Sequence, residues 1–225
     1  MWRSIFGNFG VRVLSALLNF GLVILFSQLT GAVGKGEQSL LLTSVAIITI
    51  FDSLIGGAAL VYLSSRFSWL RLVGASYLWI CLVSIIAAIG LYLFKIFPNG
   101  YLINVIVLSA ISALTSAHAS LLLGQQKIGA YNLIQITVPL LTFLTCLFQW
   151  TTQNELDYVL ALYIAFGFSF ALSIFYLWRS FPSTKDVQQS WRTVWRSMFA
   201  LGFFNQLAHV LQLLSFRASY YILEQ

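Results

Sequence analysis

Apolar residues run almost unbroken along seven stretches of this chain, 9–30, 39–63, 73–94, 101–123, 131–150, 157–178 and 198–222, and most charged residues collect between them. A hydrocarbon core of roughly 30 Å is crossed by about 20 residues of helix, and each stretch reaches that length. The pattern predicts an all-α membrane protein with about seven transmembrane helices. The stretches are too long and too uniformly apolar for the alternating strands of an outer-membrane barrel. In lipid, only a helix or a closed barrel satisfies its own backbone polar groups.

Composition agrees: 60% hydrophobic and 8% charged residues leave no polar coat for a water-soluble globule of 225 residues. Arg3 ahead of the first stretch imitates a secretory leader, but Phe9 to Thr30 is too long for one and lacks a small-residue exit, so a retained span is expected. Cys81 and Cys146 fall inside spans without metal-site or disulfide spacing and read as small core residues. The net charge of +6 belongs to membrane topology and not to nucleic-acid binding. With the N-terminus in the cytoplasm, nine basic residues (Arg3, Arg12, Arg66, Arg71, Lys127, Arg179, Lys185, Arg192, Arg196) fall on the inner side, and only Lys35 and Lys95 on the outer. The outer loop with Glu155 and Asp157 carries no basic residue, in keeping with that orientation.

Three regions follow. Residues 1–179 form a six-helix transmembrane bundle. Residues 180–197, with Pro182, Lys185, Trp191, Arg192, Trp195 and Arg196, read as a cytoplasmic linker with an interfacial helix capped by Ser183 or Thr184, or as an ordinary connector. Residues 198–225 carry the seventh span.

Polar residues inside the spans fall into stripes. Asn8, Arg12, Ser15 and Asn19 share one face of the first helix; Thr49, Asp52 and Gly56 share one of the second, with the only acid buried in this way. Gln135, Pro139, Thr142, Cys146 and Gln149 line up on the fifth, where Pro139 frees the Gln135 carbonyl and provides a hinge. Ser109, Ser112 and Ser116 mark the fourth, and Asn205, His209 and Gln212 the seventh, with Gln206 and Arg217 beside them. Such stripes either bond helix to helix or face a wet interior. Arg12 and Asp52 favour the second role, or pair with each other; His118 and His209 read as hydrogen-bonded interior histidines.

No catalytic motif stands out. The GAVGKG of Gly31–Gly36 lacks the spacing and the hydroxyl of a phosphate loop and reads as a turn between spans; no HExxH or nucleophile elbow is present. The expectation is a protein that is not an enzyme and needs no cofactor.

Several stretches resemble the polysaccharide repeat-unit flippases of O-antigen type, in the multidrug/oligosaccharidyl-lipid/polysaccharide exporter superfamily. They are LTGAVGKGEQSLLLT (29–43), DSLIGGAALVYLSSRF (52–67), LLLGQQKIGAYN (121–132) and LLSFRASYYILEQ (213–225). Ala218 or Ser219 stands where that family often carries an acid after the arginine. The resemblance spans the chain but only half of such a protein, ending with the first helix of a missing second bundle. It implies alternating-access translocation of an undecaprenyl-diphosphate-linked oligosaccharide across the bacterial inner membrane, with ion coupling. It also implies lipid contacts and partnership with a polysaccharide polymerase or chain-length regulator. On that basis Arg12, Asn19, Gln135, Asn205, Gln212 and Arg217 are the lumen candidates and Asp52 the ion-coupling one. The competing expectation is a non-transporting assembly partner, or an inactive fragment of such a flippase. A membrane polymerase or acyltransferase would need a large outer loop that the sequence lacks.

Overall fold

Helix follows helix in the computed structural model, which describes residues 2–93, 101–152, 158–180 and 190–223. The elements are α1 (Trp2–Asp52), α2 (Gly57–Leu63), α3 (Trp69–Leu93), α4 (Tyr101–Gly124), α5 (Ile128–Thr151), α6 (Tyr158–Ser180) and α7 (Trp191–Leu223). Among the described residues, six segments are long and apolar enough to cross a membrane: Gly7–Gln28, Gly36–Leu63, Trp69–Leu93, Tyr101–Gly124, Ile128–Thr151 and Tyr158–Ser180. The chain is an all-α, multi-pass membrane protein. Large apolar side chains such as Phe20, Leu78, Ile103, Phe148 and Trp178 lie exposed on its outside, which suits lipid and not water. The seventh expected span falls in α7, where the side chains beyond Leu211 lie outside the described residues. Lys95, Glu155, Asp157 and the proposed caps Ser183 and Thr184 also lie outside them.

Two breaks shape the first half. The turn expected over Gly31–Gly36 narrows to one residue: Gly31 takes φ 66°, ψ −164°, a conformation essentially reserved for glycine, and helix resumes at once. Leu22 and Phe26 before it share an apolar cluster with Leu41, Val45 and Ile48 after it, so the chain folds back there. The second break divides the second span, which the sequence pattern presents as continuous. Helix ends at Asp52 and resumes at Gly57, itself at φ 52°. Ser53, Leu54 and Gly56 close short turns onto the Thr49, Phe51 and Ser53 carbonyls, and the Trp79 indole N–H donates to the Phe51 carbonyl at 3.1 Å. These bonds satisfy backbone that lipid would leave stranded.

The remaining junctions are tied. Gln126 (φ 61°) closes α4 in a left-handed cap, with Lys127 N–H bonded to the Leu122 carbonyl. Lys127 Nζ then donates to the Ser180 carbonyl, the last of α6, at 3.0 Å. His118, fully buried in α4, bridges Tyr77 of α3 (2.6 Å) and Ser173 of α6 (2.8 Å), and stacks on Phe170. This is the interior hydrogen-bonded role expected of it. Cys146 is buried as expected, whereas Cys81 is exposed on α3; both are free thiols.

Trp191–Ser197 do not form a linker helix of their own. They are the opening turns of α7, because Val194 and Met198, four apart and fully buried, continue one apolar stripe onto the core around Ile55, Leu60 and Leu72. Trp195 stacks on Phe199, which meets Trp79 edge-on at 5.2 Å. Farther along, Gly202 presses on the broken segment so closely that a Cβ there would overlap the Leu54 carbonyl. Gly202→Ala should therefore push α7 off the break and cost about 1–3 kcal/mol, as overpacking against a fixed backbone does. An unchanged melting temperature of the purified variant in detergent would refute this packing.

Candidate functional site

The first halves of the stripes converge. Between α1, α4, α5 and α6 lies a cavity of about 820 Å³ lined by Asn8, Arg12, Ser15 and Asn19, the complete polar stripe of the first span. α5 contributes Gln135, Pro139 and Thr142, and α4 contributes Ser112, Thr115 and Ser116. The α1 lining from Asn8 to Val23 extends about 22 Å at 1.5 Å rise per residue, most of a hydrocarbon core. Among the described residues, Arg12 is the only charged one in the lining. It and Gln135 are exposed to this space.

The lining hydroxyls are partly spent. Thr115 and Thr142 donate to the Ile111 and Val138 carbonyls of their own helices, at 2.8 Å each. Their lone pairs remain for a ligand. Asn132, which also lines the cavity, keeps its amide oxygen without a partner among the described residues. Pro139 faces the same space, and five residues earlier Ser169 of α6 donates to the Ile134 carbonyl at 3.3 Å. The wall beside the proline is thus held from the neighbouring helix.

No family model, curated protein or solved structure matches this chain.

What the cavity can hold follows from its lining. One guanidinium among amides and hydroxyls suits a ligand with one anionic group and many hydroxyls, since arginine pairs phosphate or carboxylate in a fork and amides serve both donors and acceptors. The volume lies within the roughly 300–1,000 Å³ of small-molecule sites. Apolar members such as Leu22, Val138 and Phe166 give it an amphipathic character.

Other expected residues lie elsewhere. Asp52 does not pair with Arg12: it is 4% exposed, neither oxygen has a partner among the described residues, and it lines a separate cavity of about 10 Å³ with Thr49, Ser53 and Gly56. Asn205 is not among the residues lining the large cavity; α7 packs chiefly on α2 and α3. Its neighbour Gln206 instead places Oε1 3.1 Å from the Ser53 hydroxyl. The side chains of His209, Gln212 and Arg217 lie outside the described residues. Cys146 and Gln149, at the far end of the α5 stripe, are buried and take no part in the lining.

The sequence pattern gave no role to Gln38, Tyr131, Asn132, Tyr158 or Ser169, all of which line the cavity. Gln38 was accessible in principle: it stands eleven residues before Thr49, the same three-turn interval that joins Asn8 to Asn19. A cysteine scan checks the lining. In a background without Cys81 and Cys146, Asn19→Cys and Gln135→Cys should react with a charged thiol reagent at least tenfold faster than Leu17→Cys and Leu140→Cys, which lie outside it. Equal rates at all four would show that these faces are not wet.

Proposed function

We propose that this protein carries a lipid-linked oligosaccharide of the undecaprenyl-diphosphate class across a bacterial inner membrane by alternating access, with its N-terminus in the cytoplasm. The observation that supports this reading is the long polar cavity with Arg12 as its single charge among the described residues. A diphosphate bears negative charge and strong acceptor oxygens, which a guanidinium meets in a fork, and a glycan presents many hydroxyls to Asn19, Gln135 and their neighbours. The first half of α1 suits a substrate whose polyprenyl tail stays in the bilayer. Only 11% of its most apolar window is buried, and it leans on α5 through Gly21 and Phe143. The nine-to-two bias of basic residues supports the orientation.

Enzymatic turnover has no place in this reading. The polysaccharide polymerase and chain-length regulator are its expected protein partners. The test is surface polysaccharide in a bacterial strain lacking its own flippase. The chain should restore it, Arg12→Ala should lower it about 10- to 100-fold, as loss of a charge-assisted contact of roughly 1.5–3 kcal/mol requires, and Arg12→Lys should keep part of it. Full rescue by Arg12→Ala would sink the assignment of this cavity. Absence of rescue by a well-expressed wild-type chain would favour a non-transporting assembly role instead.

A further inference from the structure

We infer that the seam between the opening turns of α3 and α7 is a binding site for an anionic phospholipid, whose phosphate Arg71 and Arg192 hold. Trp191 of α7 lies directly on α3: a Cβ added to Gly74 would stand 3.1 Å from its ring. Farther along both helices Phe199 meets Trp79 edge-on at 5.2 Å, so the two run side by side in the same direction. Helical spacing brings the two arginines to this seam. Arg71 stands one turn before Gly74, and Arg192 two turns before Phe199 on the same flank.

The charge at the seam is unmet. Arg71 is half-buried, and its Nη1 is enclosed with no hydrogen-bond partner among the described residues. Arg192 is exposed. The acids among the described residues stand elsewhere: Glu37 accepts from Tyr101, at the far end of α4, and Asp52 lines its own small cavity. A guanidinium N–H without an acceptor is costly wherever water is scarce, and its planar fork matches two oxygens of a phosphate. Two cations with no acid between them call for a headgroup of net negative charge, since a zwitterionic one would bring a further cation to the seam.

The surroundings select a lipid over a free anion. Leu78 and Leu82 continue from Gly74 at intervals of four, Phe203 does so from Phe199, and all three are exposed, so an apolar track for acyl chains leads away from the arginines. Trp191 is exposed beside them, with an apolar body for the chains and an N–H for the headgroup level. A basic cleft between helices at the membrane surface is a recurrent form of lipid headgroup site. Other cations at this end of the bundle lack the combination: Lys127 is spent on the Ser180 carbonyl, and Arg179 stands on α6, which packs on α4 and α5. One phosphate shared by Arg71 and Arg192 would tie α3 to the turns of α7 that lead to Gly202, and so hold α7 on the broken segment.

Native mass spectrometry of the full chain, released from detergent after titration with phosphatidylglycerol or phosphatidylcholine, tests this. The first phosphatidylglycerol should bind several-fold tighter than phosphatidylcholine, and Arg71→Gln and Arg192→Gln should each weaken it about tenfold, as loss of a charge-assisted contact requires. Arg179→Gln removes the same charge from the same end of the bundle and should leave the affinity unchanged. Phosphatidylglycerol should also raise the wild-type melting temperature by several degrees, and that of Arg192→Gln by less. Equal binding of the two lipids, or an equal loss in Arg179→Gln, would overturn the site in favour of diffuse surface charge. Displacement of the lipid by millimolar inorganic phosphate would overturn it in favour of a free-anion site. Should Arg71→Gln fail to fold, undiminished affinity in Arg192→Gln would overturn it equally. The site is independent of what the large cavity carries: failure of polysaccharide rescue with lipid binding intact would remove the transport reading and leave this one.

Discussion

Every backbone N–H and C=O in the hydrocarbon region needs a partner, and the architecture follows from how that demand is met. Six helical spans meet it internally. The exceptional segment, Ser53–Gly56, is tolerated because it is enclosed: its own short turns, the Trp79 indole and the close approach of α7 at Gly202 stand in for the missing helix. Removing any of these covers would expose carbonyls to lipid at a cost of several kcal/mol each. The interruption and the helix that shields it are therefore one structural unit, although about 150 residues separate them along the chain.

The two cavities divide the polar chemistry of the interior by sign. Among the described residues, the large one holds a guanidinium and no acid, and the small one a carboxylate and no base. Had Arg12 and Asp52 met, each would have neutralised the other and the interior would carry no net preference for charged ligands. Keeping them in separate compartments leaves each with unmet demand. Buried ionic groups that are not paired within the protein are more informative about ligands than those that are.

Much of this was legible from periodicity. A stripe at intervals of four and three residues marks one helical face wherever the helix is regular, so Asn8, Arg12, Ser15 and Asn19 could be placed together without knowing what they faced. Thr49, Asp52 and Gly56 also line one cavity, although helical spacing holds only from Thr49 to Asp52 and the break brings Gly56 to the same side. Periodicity failed where the answer depends on a neighbour. Asn205 has the right spacing for a lumen residue, but α7 docks on α2 and α3, which no periodicity reveals. The division of the second span was hidden because Leu54, Ile55 and the two glycines are as apolar as helix, and only tertiary support makes the turn affordable. Trp191 and Trp195 read as interfacial anchors, yet the fully buried residues between and beyond them, Val194 and Met198, decide that the helix runs on.

The cross-braces have a consequence for stiffness. His118 pins α3, α4 and α6 to one another, and Lys127 pins the α4–α5 corner to the end of α6. Among the described residues, no side chain of Gly7–Gln28 hydrogen-bonds to another helix, and this segment ends close to a single glycine in a conformation that needs no Cβ. The bundle is therefore a braced frame with one unbraced stave. Deformation concentrates in the softest member, so the width of the large cavity is set by how α1 leans, with Gly31 as its pivot.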